Sequence, residues 1–125
     1  MKHVLIIEDD PEIRTCIAEA LSYDGYTVAE ATDGLEGLRA AVSHRPDLII
    51  LDLMMPVMNG WQFRATQKRD PALAEIPTIV ISAVATECAG TLEGVAALFA
   101  KPFDFASLLA AVEHYSAREQ EAGRA

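Results

Sequence analysis

The stretch PDLIILDLMMPVMNG, from Pro46 to Gly60, begins as an apolar run, is interrupted by Asp52 and continues into a loop rich in methionine. A short continuous apolar run is typical of a strand buried on both faces of a parallel sheet. A carboxylate at the end of such a strand costs free energy unless water, a cation or another partner meets it. The stretch therefore predicts a buried strand that ends in a functional carboxylate.

Strand and helix patterns alternate on both sides of this stretch. Further strands are predicted at HVLII (3–7), YTVAEA (26–31), IPTIVIS (76–82) and AALFA (96–100). The first helix follows Pro11, and its predicted inner face consists of Ile13, Cys16, Ile17, Ala20 and Leu21. The second helix is capped by Asp33, with Leu35, Leu38 and Val42 predicted on its inner face. The inner face of the last helix is predicted to consist of Phe105, Leu108, Leu109 and Val112. Their spacing indicates amphipathic helices. Another helix is expected from about Gly60 to Arg69, ended by the Asp70-Pro71 pair.

This alternation predicts an α/β fold, with a doubly wound parallel sheet of five strands and helices on both faces. The 125 residues fit one domain with one core, which we expect to span residues 1–118. Residues 119–125 are a polar tail that is expected to fray. Met1 and this tail favour a complete chain over a fragment.

Composition and charge argue against several classes of function. The net charge of −9 disfavours binding to nucleic-acid phosphates, and no apolar run approaches the ~20 residues of a membrane helix. The N-terminal stretch turns acidic too early for a signal peptide. Cys16 and Cys88 lack a CxxC partner, and the three histidines lack the spacing of a zinc site. These features predict a cytoplasmic protein with no direct nucleic-acid partner and no membrane insertion.

Charged and polar side chains follow four of the predicted strands. They are Glu8, Asp9 and Asp10 after the first strand, Asp52 at the end of the third, Ser82 at the end of the fourth and Lys101 after the fifth. Because ligands of doubly wound sheets bind at the carboxyl ends of the strands, these groups are expected to meet at one rim. For a single acid, capping of the next helix is the simpler explanation. Acids after two strands and a lysine after another instead favour a Mg²⁺ site for phosphate chemistry.

With these residues the chain resembles the receiver domain of bacterial two-component response regulators, in particular the single-domain, chemotaxis-regulator type. The motifs that carry the resemblance are LIIEDDPEIR (5–14), LIILDLMMPVMNG (48–60), IVISA (79–83) and KPF (101–103). Each is weak alone, but their order and spacing are specific and cover nearly the whole chain. The resemblance implies a flavodoxin-like strand order, 2-1-3-4-5.

The resemblance also implies a role for each residue of the rim. Asp52 matches the aspartate that accepts a phosphoryl group from a histidine. The matched Mg²⁺ ligands are Glu8, Asp9, Asp52 and the backbone carbonyl of Met54, and the matched phosphoryl-sensing and switch positions are Ser82, Lys101 and Leu98. Asp10 matches a third acid that is not a ligand, and the Lys101-Pro102 bond matches one that is usually cis.

The partners implied by the resemblance are proteins. A sensor histidine kinase or a histidine phosphotransfer protein is the expected phosphoryl donor. A conformational switch then signals from a stand-alone module to a downstream protein partner, and phosphorylation-dependent homodimerisation is a further expectation. Such a module catalyses only its own phosphorylation and dephosphorylation, and is not otherwise an enzyme.

The region between the fourth and fifth strands departs from the family pattern. Leu98 stands three residues before Lys101, where the family usually has an aromatic switch residue, and Phe99 is expected to be an ordinary core residue. The segment is also short. A weak helix is expected around TECAGTLEG (86–94), because two glycines disfavour its interior.

The third helix and the loop before it also carry unusual residues. Arg64 and Gln67 stand where the family commonly has apolar residues, and Trp61 is expected to be partly exposed. The loop contains three methionines, Met54, Met55 and Met58. We expect them to pack within the loop rather than to bind copper(I).

Two other functions are consistent with the fold. One is a receiver-like protein-binding module that works without phosphorylation, although such a module has no need of the full set of rim residues. The other is a small hydrolase of external phosphate esters, which is disfavoured because the run at Asp52 is Asp-Leu-Met and no insertion is present to bind a substrate.

Overall fold

The computed structural model describes residues 2–124, with side chains as far as Ser116. Its strands are β1 (His3–Ile7), β2 (Thr27–Ala31), β3 (Leu48–Asp52), β4 (Thr78–Ser82) and β5 (Ala97–Ala100). Its helices are α1 (Pro11–Tyr23), α2 (Gly34–Ser43), α3 (Gly60–Arg69), α4 (Ala85–Cys88) and α5 (Phe105–Arg124), with a 3₁₀ helix at Ala89–Thr91. The predicted alternation is confirmed. The predicted tail, residues 119–125, lies outside the described side chains.

The five strands form one parallel sheet in the order β2-β1-β3-β4-β5, which confirms the expected order. The register aligns Ile7 of β1 with Leu51 of β3, and Asp52 of β3 with Ile81 of β4. The strand order reverses between β1 and β3. The carboxyl ends of these two strands therefore form the crevice at which doubly wound sheets bind ligands.

The sheet separates two apolar clusters, because successive side chains of a strand point to opposite faces. On one face Leu5, Ile49 and Val80 pack with the buried residues of α2 and α3. On the other face Ile6 and Ile50 pack with those of α1 and α5. Helices thus cover both faces of the sheet, as the alternation of elements predicts.

The inner face of α1 is rotated slightly from the predicted one. Ile17 and Leu21 are fully buried, as expected, but the predicted placement of Cys16 on this face is wrong, because its side chain is exposed. Ala18 is buried instead. Neighbouring residues of a helix lie ~100° apart, so the residue before Ile17 falls on the solvent side of the buried stripe.

The inner face of α2 is made of small residues. The predicted inward placement of Leu35 and Val42 is wrong, because both side chains are exposed, while Ala41 and Gly37 are buried. A Cβ at Gly37 would lie 2.5 Å from Cδ1 of Ile7. The helix approaches the sheet through these small residues, and of its three predicted inward side chains only the half-buried Leu38 packs against the core cluster.

The buried stripe of α5 begins later than predicted. Leu108 and Val112 are fully buried, as expected, whereas Phe105 is 39% exposed, so its predicted place in the stripe is wrong. Phe105 is the first residue of the helix, and its ring packs on that of Phe103 with centroids 5.1 Å apart.

The connection between β4 and β5 confirms the expected weak helix. α4 has only four residues and continues into the short 3₁₀ helix. Phe99 packs in the cluster beside α1 and α5, and Trp61 is half-buried, as expected for both. In the loop before α3, Met55 and Met58 pack on the core, but Met54 is 56% exposed, so the expected packing of Met54 is wrong. None of the helices within the described residues has the length and apolar character needed to cross a membrane.

Candidate functional site

Three carboxylates meet at the crevice between β1 and β3. Glu8 directly follows β1, and Asp52 is the last residue of β3, so the parallel register brings them side by side. One oxygen each from Glu8, Asp9 and Asp52 lies within 4.8 Å of the others. Glu8 and Asp52 are 0% and 2% exposed, while Asp9 is exposed. The group is open to solvent on the side of Asp9.

The Lys101 ammonium group lies against the two buried carboxylates. Its Nζ is 2.7 Å from Oε1 of Glu8 and 3.5 Å from Oδ1 of Asp52. The backbone N–H of Lys101 donates to the Ser82 carbonyl at 3.0 Å, which holds this residue beside the end of β4. One positive charge thus faces two buried negative charges.

Backbone groups hold the carboxylates in place. The Asp10 N–H donates to Oε2 of Glu8 at 3.1 Å, and the Leu53 N–H donates to Oδ1 of Asp52 at 2.8 Å. The Asp10 side chain itself caps α1 by accepting the Glu12 N–H at 2.9 Å. Helix capping therefore accounts for Asp10, but not for the other acids of the rim.

The electrostatics of the site are dominated by burial. Burial, followed by the Glu8 charge and a hydrogen bond with Glu8, raises the pKa of Asp52 to about 7, against the opposing effects of Lys101 and of a Met54 backbone hydrogen bond. Burial alone would lower the pKa of Lys101, but its hydrogen bond to Glu8 and the two negative charges raise it. Lys101 therefore stays positively charged, whereas the carboxyl group of Asp52 changes its charge near neutral pH.

The start of α3 packs directly on the end of β3. The Gly60 N–H donates to the Leu53 carbonyl at 2.9 Å, and a Cβ on Gly60 would lie 2.5 Å from the Asp52 carbonyl oxygen. Asn59 and Gln62 form a capping box, with each side chain accepting the other's backbone N–H at 2.9 Å. This capped helix start fixes the backbone that carries Asp52.

The loop between β3 and α3 has a strained turn at the rim of the site. The Met58 N–H donates to the Pro56 carbonyl at 2.7 Å, and Val57 between them has a φ of 66°. Positive φ is unusual for a β-branched residue, and a γ-turn of this hand is rare. The Met58 carbonyl accepts the Gly34 N–H at 2.9 Å, which ties the turn to α2.

The remaining predicted residues lie at different distances from this centre. Ser82 is fully buried at the end of β4, one residue beyond the register partner of Asp52, and its Oγ accepts the Val84 N–H at 3.1 Å. The Lys101-Pro102 peptide bond is cis. Leu98 is not at the rim, because its side chain packs in the core cluster beside α2 and α3.

Three contacts near the site have no signal in the sequence motifs. Nη1 of Arg14 donates to the Glu8 carbonyl at 2.9 Å, and its Nε pairs with Glu30 at 3.2 Å, which fixes the end of β1. The indole N–H of Trp61 donates to Oγ1 of Thr91 at 2.8 Å. A half-buried arginine on α1 and a half-buried tryptophan on α3 fit many roles, so only the three-dimensional contacts identify these roles.

The donor set fits a hard divalent cation. Carboxylate oxygens are the ligands that Mg²⁺ prefers, and the exposed side of the group leaves room for the waters that this ion keeps. A cation also relieves the repulsion between Glu8 and Asp52. Within the part of the chain that is described, no other group of acidic, histidine or cysteine side chains is this close together.

Comparison with known proteins gives a consistent result. The model of the response regulator receiver domain family matches residues 4–113. Over 115 residues the chain is 37% identical to the DNA-binding dual master transcriptional regulator RpaA of Synechocystis sp., covering 90% of this chain and 48% of RpaA. The chain thus spans about half the length of the curated relatives it matches first.

Solved structures share the fold. The chemotaxis response regulator CheY4 of Vibrio cholerae superposes with a TM-score of 0.82 at 30% identity, over 92% of this chain and 98% of CheY4. The response regulator TrrA of Thermotoga maritima, solved in complex with Mg²⁺-BeF, gives a TM-score of 0.82 at 27% identity, over 92% and 99% of the two chains. Fold, rim residues and family match agree, and the chain belongs to the response regulator receiver domain family of two-component signalling.

Proposed function

We propose that the chain accepts a phosphoryl group on Asp52 from a phosphohistidine of a sensor kinase or a phosphotransfer protein. The observation that carries this proposal is the group of Glu8, Asp9 and Asp52 with Lys101 against it. A purely structural rim has no need of two buried carboxylates, because their mutual repulsion and desolvation destabilise the fold.

The transfer is a substitution at phosphorus. A carboxylate oxygen of Asp52 forms the new O–P bond while the N–P bond to the donor imidazole breaks, and the released nitrogen takes a proton. The product is an acyl phosphate on the carboxylate nucleophile. Catalysis in such transfers consists mainly of positioning the groups and neutralising the phosphoryl oxygens, and the rim supplies groups for both.

Each proposed residue has a separate part in this step. Glu8, Asp9, Asp52 and the Met54 backbone carbonyl would hold Mg²⁺, and the ion would supply positive charge that neutralises the carboxylates and the phosphoryl oxygens. Lys101 supplies a fixed positive charge beside Asp52. The Ser82 hydroxyl, at the end of the neighbouring strand, donates a hydrogen bond to the transferred group.

The proposed output is a change of surface that a partner protein reads. The chain works as a stand-alone, cytoplasmic module of residues 1–118, and phosphorylation shifts it between two conformations. Homodimerisation on phosphorylation is part of the proposal. Beyond its own phosphorylation and dephosphorylation the chain has no catalytic activity.

The test is intact-protein mass spectrometry after incubation with Mg²⁺ and acetyl phosphate. The parent is expected to gain one acid-labile phosphoryl group, and Asp52→Asn is expected to gain none, because the amide is not a nucleophile. A phosphohistidine donor replaces acetyl phosphate in a second arm. If the parent gains no mass in either arm, the phosphorylation-independent binding module becomes the better interpretation, since Leu98 and the short α4 already depart from the usual switch.

A further inference from the structure

A continuous chain of hydrogen bonds runs from the Ser82 hydroxyl to α3. Oγ of Ser82 accepts the Val84 N–H at 3.1 Å, and the Val84 carbonyl accepts the Cys88 N–H at 3.1 Å. The Cys88 carbonyl in turn accepts the Thr91 hydroxyl at 2.6 Å, and Oγ1 of Thr91 accepts the indole N–H of Trp61 at 2.8 Å. The segment from Val84 to Thr91 is thus tied at one end to the site and at the other to α3.

This segment has few other attachments. Between Ala83 and Glu93 only Ala85, Cys88 and Leu92 are buried. Neither α4 nor the 3₁₀ helix has a side-chain cap. Short helical turns without caps and with little buried apolar surface are the parts of a fold that open most easily. The two ends of the hydrogen-bond chain therefore have a large share in holding the segment in place.

The end on α3 is rigid and close to the site. Trp61 follows Gly60, which packs on the backbone of Asp52, and its ring also packs on the core cluster beneath α3. One turn further on, Nη2 of Arg64 reaches the Glu93 carbonyl at 3.4 Å, just beyond the segment. α3 thus offers a fixed wall against which the segment is held.

We propose that the Trp61–Thr91 hydrogen bond is a latch that holds the Val84–Thr91 segment in its resting position and is released when Ser82 turns to a phosphoryl group on Asp52. The proposal rests on the proposed function of Asp52. It assigns the coupling of this chain to Trp61 and Thr91, because Leu98 has no aromatic ring to supply it.

The physical reason is that Oγ of Ser82, in the orientation it has in the structure, is the acceptor of the Val84 N–H at 3.1 Å. A rotation that points the hydroxyl at Asp52 takes this acceptor away and frees the N-terminal end of the segment. A movement at that end is passed along the hydrogen bonds of Cys88 and Thr91. The bond from Trp61 to Thr91 is the final bond of this series. Breaking the latch first therefore makes the rotation easier, since any change that destabilises only the resting state favours the other state.

The experiment uses beryllofluoride with Mg²⁺ as the phosphoryl analogue, and Trp61 as the reporter. The chain contains one tryptophan, so its indole N–H gives one signal in a ¹⁵N–¹H spectrum. We expect the analogue to shift this signal and to speed its exchange with water. Thr91→Val removes the hydroxyl but keeps the shape. It is expected to bind the analogue at least about two- to fivefold more tightly than the parent, because the resting state loses both hydrogen bonds of Oγ1, the one accepted from Trp61 and the one donated to the Cys88 carbonyl.

Two further variants make the result specific. Thr86→Val changes an exposed threonine of the same segment that is outside the hydrogen-bond chain, and it is expected to bind the analogue as the parent does. Trp61→Phe keeps a ring on the core but has no N–H, and its affinity, followed through backbone amide signals because the indole is gone, is expected to rise in the same direction as that of Thr91→Val. A merely structural role for Thr91 would lower stability without raising this affinity.

The outcomes separate the latch from the proposed function. If the parent binds the analogue but its indole signal does not change, or if Thr91→Val and Thr86→Val bind equally, the latch is overturned while phosphorylation of Asp52 stands. If the parent does not bind the analogue and gains no phosphoryl group from either donor, the proposed function fails and the latch fails with it.

Discussion

The Asp52 carboxyl group is held between opposing influences. Burial and the neighbouring Glu8 favour its protonated form, whereas Lys101 at 3.5 Å and backbone N–H groups favour the ionised form. The first influences prevail, so a group that is ionised in an unfolded chain is half-protonated near neutral pH in the folded one. The proposed phosphoacceptor role needs the ionised form of Asp52, and a divalent cation bound at the rim would favour that form.

This balance predicts a pH dependence of stability in the absence of divalent cations. The pKa of Asp52 rises from 3.8 to about 7 on folding, so between these values the folded protein binds more protons than the unfolded chain. The unfolding free energy therefore falls as pH rises from about 4 to about 7, by up to about 4 kcal/mol from this group.

Denaturant unfolding in EDTA at several pH values measures this effect, with Asp52→Asn as the matched variant. The amide cannot ionise, so the variant is expected to match the parent near pH 5 and to be more stable than the parent at pH 8. Parallel pH profiles for the two proteins would contradict the raised pKa of Asp52.

Most of the rim could be predicted from the sequence, because its residues follow the strands directly. Glu8, Asp52 and Lys101 meet as the parallel register requires. The hydrogen bond from Arg14 to the Glu8 carbonyl could not be predicted, because every residue has a backbone carbonyl and the sequence does not show which one a side chain reaches. The same holds for the hydrogen bond from Trp61 to Thr91, which joins residues thirty positions apart.

At the scale of elements, the close approach of α3 to β3 leads to a second prediction. A Cβ at Gly60 would meet the Asp52 carbonyl oxygen at 2.5 Å and the Leu53 Cα at 2.7 Å, and both are backbone atoms that cannot rotate away. Gly60→Ala is expected to cost at least about 3 kcal/mol of unfolding free energy, at or above the upper end of ordinary overpacking. It should also slow phosphorylation of Asp52, because the helix start can move only by displacing that backbone.

Gly90→Ala is the control for this substitution. No atom lies within 4 Å of a Cβ at Gly90, and its backbone is not in the left-handed region, so alanine there is expected to change stability by less than about 1 kcal/mol. Thermal melts and acetyl phosphate labelling of both variants test the contrast. Equal stability of the two would show that α3 can shift away from β3 freely.

A third prediction concerns the buried polar pair of α3. Arg64 is 8% exposed, its Nε has no partner, and burial lowers its pKa. Gln67 is fully buried and joins Arg64 to the Leu73 and Ile76 carbonyls and to Thr78. A buried charge without an opposite charge is costly, whereas a buried amide with its partners satisfied is not.

Arg64→Met is therefore expected to leave stability unchanged or to raise it by about 1–2 kcal/mol, since the apolar side chain fills the site without a charge. Gln67→Leu is expected to lower stability by about 2–3 kcal/mol, because it leaves buried carbonyls and the guanidinium unpaired. Urea unfolding of the two variants measures both. The opposite order would mean that the hydrogen bond of Arg64 to the Glu93 carbonyl outweighs the burial of its charge.

The elements themselves were predictable because periodicity fixes their type, but periodicity does not fix their rotation. Leu35 and Val42 share a face of α2 by spacing, yet the helix turns Gly37 to Ile7 and exposes both larger side chains. The distance between a helix and the sheet is a property of both partners, so the sequence of one element cannot give it. Cys16 and Phe105 were misplaced for related reasons, at the edge of a stripe and at the first residue of a helix.

On the scale of the whole molecule, the charge distribution sets what a cation does. The chain has a net charge of −9, so any cation stabilises it somewhat by reducing general repulsion. A cation that binds at the rim acts differently, because the grouping of Glu8, Asp9 and Asp52 exists only in the folded chain. Binding to the folded state alone adds stability in proportion to the logarithm of the cation concentration.

This difference gives the last prediction. At a Mg²⁺ concentration ten times its dissociation constant, the site is expected to add about 1.4 kcal/mol and to raise Tm by about 4–6 °C at pH 7.5. Sodium chloride of equal ionic strength measures the general effect and is expected to raise Tm much less. Asp9→Asn removes an exposed carboxylate of the rim and is expected to lose most of the Mg²⁺ shift, whereas Glu19→Gln, on the exposed side of α1, keeps it. The Mg²⁺ shift should also shrink below pH 6, because the proton on Asp52 competes with the cation. If sodium chloride matched the Mg²⁺ shift, or if the two variants behaved alike, the stabilisation would be general screening, and the rim would not be a metal site.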